Sequence, residues 1–417
     1  MKKAIIIGGN ELKGEIKIDG AKNSVLALLP AALMVNGKVT FENVPNISDI
    51  KSFLEIFDYL EVDYFYEKNA SKLTIHSREI SNLEVVTPLV ESFRASYYLM
   101  GVMLGRYKQL TISMPGGCKI GTRPVDYHLD GFKTLGANVD FTGSTILLSA
   151  EKLVGSEINF PRKSVGATMN LIYAACYADG LSIIKDAALE PEVDDLIGFL
   201  NTLGFKVLRI NNDIHIEGME RILNVEDISY SVVPDRIEAM SYIILGLLTG
   251  EIKVTNLNYN HIKKLVNLLK EHGADLEISD TEIIARKSTV QGLHIITEEY
   301  PGVPTDIAQI LGVLLMKGDG DSVITETIFE NRFESFIELN KLNCKNEIVD
   351  DTVKITGGRE FIGNTLTAKD LRGCTSLVFA GLTAKFQTIV ENIDYMERGY
   401  SNLYKKLSAV GANIQVI

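Results

Sequence analysis

Cysteine is scarce in this chain, and no two cysteines share a redox or metal-binding spacing. The four, Cys118, Cys176, Cys344 and Cys374, are scattered and form no CxxC pair. That usage reads as free thiols in a reducing compartment, and so as a cytoplasmic protein. The six histidines form no HExxH or other ligand spacing, so no metal site is expected. Positive charge is in deficit too. A net charge of −12 argues against nucleic acid as a general partner, because phosphate backbones need a positive field. The longest apolar stretches, Tyr242–Leu248 and Ile310–Met316, fall far short of a membrane span, so no membrane insertion is expected. The apolar run in the opening MKKAIIIGGN is too short for a signal-peptide core. No GxxxxGK[ST] loop occurs, and IGGN at 7–10 is not a dinucleotide fingerprint; no cofactor is expected.

What is present is a repeat. The 417 residues suffice for two or three domains with a large core. Within them a helix ending, a glycine and a β-run recur as KTLGANVDF (133–141), NTLGFKVLRI (201–210), KEHGADLEI (270–278) and SAVGANIQVI (408–417). DYLEVDYFY (58–66) and KLNCKNEIV (341–349) are weaker copies. Successive copies lie roughly 70 residues apart, longer than a usual solenoid period. Gly136, Gly204, Gly273 and Gly411 each stand where a helix must turn through positive φ. Asn343 tolerates that conformation; Glu61 suits it poorly. The alternating apolar residues after each glycine suggest a short hairpin.

Each unit also holds an earlier helix that is apolar nearly all round and therefore buried. These helices are predicted over Ser24–Val35, Ala95–Leu104, Ala167–Ala178, Ala239–Leu248, Ile307–Met316 and Ser376–Leu382, each followed by a β-run. The unit reads as helix, strand, helix, strand, strand, with a further strand leading in. The expected class is α/β, with six units in two lobes of three. One lobe spans 21–231; the other joins 1–20 to 232–417.

The starts of these helices carry charge. Lys22-Asn23, Arg94, Arg162 with Ser164, Arg236, Asp306 and Asp370-Arg372 stand at the buried helices. Arg123, Glu190, Arg332 and Arg398 stand at the second helices. A cation at a helix start opposes the helix dipole, yet free N–H groups there make a ready anion site. If the starts face one cleft, the arginines suit a substrate rich in phosphate and carboxylate oxygens. The plain alternative for any single arginine is a solvated surface residue.

Cys118 sits in MPGGCKIGTRPVD, a glycine-rich stretch between a strand and a helix. Lys119 and Arg123 nearby would lower its pKa, making it an acid or a nucleophile. The competing reading is an inert small hydrophobe, which fits Cys176 in its Ala-rich helix better. Asp306, after PGVPT, is either a helix cap or a general base.

At these residues the sequence resembles the UDP-N-acetylglucosamine 1-carboxyvinyltransferases, the enolpyruvyl transferases. The strings are GAKNSVLALLPAAL (20–33), FRAS (93–96), PGGCKIGTRPVDYHL (115–129), SVGAT (164–168), EPEVDDL (190–196), PDRIEA (234–239), YPGVPTD (300–306), ITETIFENRF (324–333), DLR (370–372) and RGY (398–400). PGGC followed by IGxRPVD is the specific part, and the sister 5-enolpyruvylshikimate-3-phosphate synthases lack it.

The resemblance implies a two-lobe inside-out α/β barrel that closes on its substrates. It also implies an activity: transfer of the enolpyruvyl group of phosphoenolpyruvate to the 3-hydroxyl of UDP-N-acetylglucosamine, in peptidoglycan synthesis. Lys22, Arg123 and Arg398 match phosphoenolpyruvate contacts, with Arg332 and Arg372 assisting. Asn23, Arg94, Arg123, Pro124, Val125, Asp126, Tyr127, Arg162, Lys163, Ser164, Val165, Asp306 and Ile328 match positions that hold the nucleotide sugar. Cys118 matches the proton donor and the target of fosfomycin. There are departures: Arg162 replaces the usual lysine, Tyr127 the usual leucine, and Glu397 the usual aspartate. A paralogue with another UDP-sugar acceptor, or a non-catalytic UDP-sugar sensor, is the competing expectation.

Overall fold

The computed structural model describes residues 2–114, 116 and 125–417. The chain divides into two compact bodies. One comprises the described residues between Gly20 and Val233; the other joins the segment up to Asp19 with Pro234–Ile417. Among the described residues each body has its own hydrophobic core and three four-stranded sheets. No helix among the described residues is long and apolar enough to cross a membrane.

The six sheets share one topology. In the second unit Gln109–Ser113 leaves the buried helix Tyr98–Tyr107 and pairs in parallel with the lead-in strand Glu84–Val85. On its other side it pairs antiparallel with Thr145–Ser149, whose hairpin partner is Asn138–Thr142. The order lead-in, first, third, second repeats in every sheet.

Three strands come from unexpected places. The lead-in strand of the first unit is Asn224–Ser231, parallel to Asn36–Glu42 and drawn from the end of the same body. The lead-in strand of the fourth unit is Lys13–Lys17, parallel to Glu251–Thr255. The sixth unit has no local hairpin after Gly411. Its missing strand is Lys3–Ile7, which pairs antiparallel with both Gln387–Glu391 and Asn413–Val416. A hairpin after Gly411, expected from the repeat, is thus replaced by a strand from the far end of the sequence.

The glycines behave as the repeat requires: φ is 93° at Gly136, 101° at Gly204, 99° at Gly273 and 98° at Gly411. Glu61 adopts the same left-handed conformation, with φ 55°, despite its side chain. Its helix, Ser48–Tyr59, buries Ile50, Phe53, Leu54, Ile56 and Phe57, and that packing outweighs the local cost of a positive φ.

The buried helices are Lys22–Ala31, Tyr98–Tyr107 and Val165–Ala175 in one body, and Arg236–Thr249, Thr305–Lys317 and Leu371–Thr383 in the other. They approach closely where side chains are small. A Cβ on Gly101 would stand 2.2 Å from the carbonyl oxygen of Asn170. The Gly101 N–H instead donates to Asn170 Oδ1 at 2.8 Å. Small residues therefore let Tyr98–Tyr107 and Val165–Ala175 meet backbone to backbone.

Candidate functional site

In the Gly20–Val233 body, Lys22 and Asn23 are the first two residues of Lys22–Ala31, and no side chain caps that start. Lys22 Nζ lies 2.7 Å from Asp49 Oδ2, with the side chains only 12% and 7% exposed. The next residue, Ser24, donates its hydroxyl to the Asp195 carboxylate, which also accepts Tyr230 Oη–H at 2.8 Å. Burial pushes the Asp195 carboxyl up to about 6, against the lowering effect of these hydrogen bonds.

Arg94 opens the 3₁₀ turn Arg94–Tyr97 and its guanidinium lies over the Tyr97 ring, 5.4 Å from the centroid. Burial lowers its pKa. The Tyr97 ring meets His128 edge-on at 5.0 Å. His128 is buried, and burial followed by the Arg94 charge pushes it down to about 3. Its Nδ1 accepts from Asn170 Nδ2 at 2.9 Å. A Cβ on Gly166 would lie 2.8 Å from Tyr97 Oη. Arg94, Tyr97, His128 and the start of Val165–Ala175 are thus one cluster, in which His128 is a neutral spacer.

Asp126 and Tyr127 begin the helix Asp126–Thr134 after the buried Val125. The Tyr127 ring stacks on Phe160, with centroids 6.1 Å apart and 27° between planes. Arg162 is exposed, Lys163 pairs with Asp186 at 3.0 Å, and Ser164 caps Val165–Ala175 by accepting from Ala167 N at 3.3 Å. Cys118, Lys119, Arg123 and Pro124 lie outside the described residues.

In the other body, Asp306 is the second residue of Thr305–Lys317, whose N-cap is Pro304. Of the two readings of Asp306, helix cap or general base, the first does not place it at the N-cap: Pro304 stands there, and Asp306 lies two residues further on. Its carboxylate accepts from Arg332 and Arg372, the latter at 2.9 Å, and both arginines are buried. Burial alone would lower the pKa of Arg372, but the charge of Asp306, the neighbouring Tyr400 and Asp235 and the hydrogen bond to Asp306 together outweigh it, and the net shift is upward. Arg372 lies over the Tyr400 ring at 5.5 Å, and Tyr400 Oη is 2.8 Å from Ser241 Oγ. Arg332 is fixed through its main chain, whose carbonyl accepts from Gln309 Nε2 at 2.7 Å. Arg398 closes the 3₁₀ segment Ile393–Arg398, half-buried.

Not every charged helix start is an open anion site. Asp370 accepts from the N–H groups of Arg372 and Gly373 at 2.9 Å. Asp235 caps Arg236–Thr249 in the same way. At this start Arg372 offers its guanidinium and not its backbone N–H, because Asp370 occupies the backbone donors beside it.

Sequence reasoning missed Glu326, within ITETIFENRF. It is buried. Its carboxylate accepts from Thr305 Oγ1 at 2.7 Å and from the N–H of Ile328 at 2.8 Å. One acid thus ties the start of the Asp306 helix to the loop bearing Ile328. Asp49 and Asp195 were missed likewise; their only signal was acidic residues in otherwise apolar helix faces.

The sequence profile of EPSP synthase (3-phosphoshikimate 1-carboxyvinyltransferase) matches residues 6–407. The chain belongs to the EPSP synthase family. Within that family, UDP-N-acetylglucosamine 1-carboxyvinyltransferase 2 of Streptococcus mutans serotype c is 38% identical over 422 residues, covering 100% of both chains. UDP-N-acetylglucosamine 1-carboxyvinyltransferase of Clostridium botulinum is 37% identical over 418 residues, covering 99% of both. Among solved structures, the enolpyruvyl transferase NikO from Streptomyces tendae matches with a TM-score of 0.91 at 23% identity, over 100% of this chain and 98% of that one. EPSP synthase from Acinetobacter baumannii matches with a TM-score of 0.79 at 18% identity, over 100% of both. The six-unit α/β fold is that of the enolpyruvyl transferases.

Proposed function

We propose that the chain transfers the enolpyruvyl group of phosphoenolpyruvate to the 3-hydroxyl of UDP-N-acetylglucosamine and releases phosphate, in the first committed step of peptidoglycan synthesis. Support comes first from the full-length likeness to relatives bearing that activity in their names. The structural observation that carries the reading is the Asp306 carboxylate held by two buried arginines. A carboxylate so oriented suits a sugar hydroxyl that must lose a proton, and the arginines suit anionic groups developing beside it.

The chemistry balances as follows. The sugar hydroxyl adds to C2 of phosphoenolpyruvate and gives its proton to Asp306, while the methylene carbon gains a proton from Cys118. The tetrahedral adduct then loses phosphate from C2, which takes the proton held by Asp306, while a methyl proton returns to the Cys118 thiolate, so that the enol ether forms and both groups are restored. Lys22, Arg123 and Arg398 would bind phosphoenolpyruvate, with Arg332 and Arg372 balancing charge. Asn23, Arg94, Asp126, Tyr127, Arg162–Val165 and Ile328 would hold the nucleotide sugar. We place the reaction in the cytoplasm, in keeping with the free thiols of Cys176, Cys344 and Cys374.

A second reading, a paralogue with a different nucleotide-sugar acceptor, draws on the Tyr127–Phe160 stack, which presents an aromatic surface where the resemblance expects leucine. The deciding experiment is phosphate release from phosphoenolpyruvate across a panel of UDP-sugars. Turnover highest with UDP-N-acetylglucosamine supports the first reading; turnover confined to another sugar replaces it with the second; none with any sugar removes both.

A further inference from the structure

We infer that Asp49 is a positioning residue for Lys22, and through it for phosphoenolpyruvate; this rests on the functional reading above. Lys22 is the first residue of a helix whose start has no side-chain cap. A cation there opposes the helix dipole and is pushed away from the axis. Nothing in its own helix offers compensation, because the first turn holds no acid. The compensation comes from a second helix. Asp49 lies in the first turn of Ser48–Tyr59, where the dipole of that helix favours a negative charge. The two groups meet at 2.7 Å with both side chains nearly buried.

Burial gives the contact its consequence. An exposed lysine ion pair fixes little, since the long side chain has many rotamers and water screens the charge. Removing one partner of a buried pair takes away the contact that fixes the other, and the ammonium then turns towards its remaining contacts or solvent. An ammonium carries three N–H donors. A carboxylate that takes one of them sets the direction of the other two. Asp49 thereby decides where Lys22 aims, without itself touching the reacting atoms. The adjacent residue is pinned separately, by Ser24 to Asp195, so the backbone of this turn stays in place when Asp49 is changed.

The test is steady-state kinetics of Asp49→Asn and Asp49→Glu with both substrates varied, together with calorimetric titration of phosphoenolpyruvate and thermal unfolding. Asp49→Asn is expected to raise KM for phosphoenolpyruvate about tenfold or more, equivalent to roughly 1.4 kcal/mol of lost interaction. KM for UDP-N-acetylglucosamine should stay within about twofold. Asp49→Glu, which keeps the charge, should recover part of the loss. Kinetics and calorimetry indistinguishable from the wild type would overturn the inference. So would equal losses for both substrates with a lowered Tm, which would make Asp49 a structural residue. A wild-type chain that neither turns over nor binds phosphoenolpyruvate would overturn the functional reading and this inference together.

Discussion

Asp306 and Arg372 occupy the same place in two different repeats, each being the second residue of a buried helix, and their side chains meet at 2.9 Å. Position for position the repeat supplies opposite charges. Gln309, one turn further along the Asp306 helix, fixes the third member, Arg332, by its main chain.

That arrangement sets two expectations for Asp306→Asn. As a proton acceptor, Asp306 is worth about 10²–10⁴-fold in kcat, and the asparagine variant should lose that much. Stability should fall as well. Asparagine has no charge to offer the two buried arginines, and a hydrogen bond to a charged group is worth about 1.5–3 kcal/mol. Phosphate-release kinetics and thermal unfolding check both. A variant with near-normal kcat would reduce Asp306 to a residue that orients the arginines.

Fosfomycin should label one thiol, Cys118. Burial pushes the thiols of Cys176 and Cys374 far up, and that of Cys344 up to about 12. Near neutral pH these three hold almost no thiolate, the reactive form. Peptide mass spectrometry should find the adduct on Cys118 alone. Cys118→Asp should resist the drug and keep some turnover. An adduct confined to any of the other three cysteines would refute the assignment.

Asp195 should make stability fall as pH rises from about 4 to about 6. Its folded carboxyl is raised to about 6 by burial, above an unfolded value of about 3.9. Between the two, the folded chain binds the proton and the unfolded chain has released it, so ionisation works against folding. Two pH units correspond to on the order of 3 kcal/mol. Asp195→Asn cannot ionise, so its stability relative to the wild type should improve across that window. Denaturant melts at pH 4 and pH 6.5 test this; a constant difference between the two proteins would show that Asp195 does not titrate there.

Gly101→Ala should destabilise the Gly20–Val233 body. The added methyl would meet the Asn170 carbonyl oxygen at 2.2 Å, and backbone cannot swing aside as a side chain can. Overpacking of this kind costs about 1–3 kcal/mol. A midpoint of denaturation unchanged in urea would mean that the two helices separate freely.

The six units were legible because each carries its own local signals: a helix apolar all round, a positive-φ residue and an alternating β-run. The lead-in strands were expected in general but not in source. No local pattern reveals that Lys3–Ile7 pairs with Gln387–Glu391, because pairing across almost the whole chain leaves no mark on neighbouring residues. The N-cap position beside Asp306 was not legible for a similar reason. Capping depends on which residue turns first, and here Pro304 does so. The charged helix starts pointed to Lys22, Arg372 and Arg332. They gave no indication of Asp49, Asp195 or Glu326, whose partners lie on other elements.

The strand Lys3–Ile7 also imposes an order of events at the ribosome. It is made roughly 380 residues before Gln387–Glu391 and Asn413–Val416, the strands it pairs with. The Gly20–Val233 body draws the strands of its three sheets from its own stretch and has them all once Asn224–Ser231 is made. The other body waits for roughly 180 further residues, on the order of 10–40 s at ordinary synthesis rates. During that interval the buried face of the strand, Ala4 and Ile6, has no partner. A chaperone that engages nascent apolar segments would have this strand to shield until Gln387–Glu391 is made.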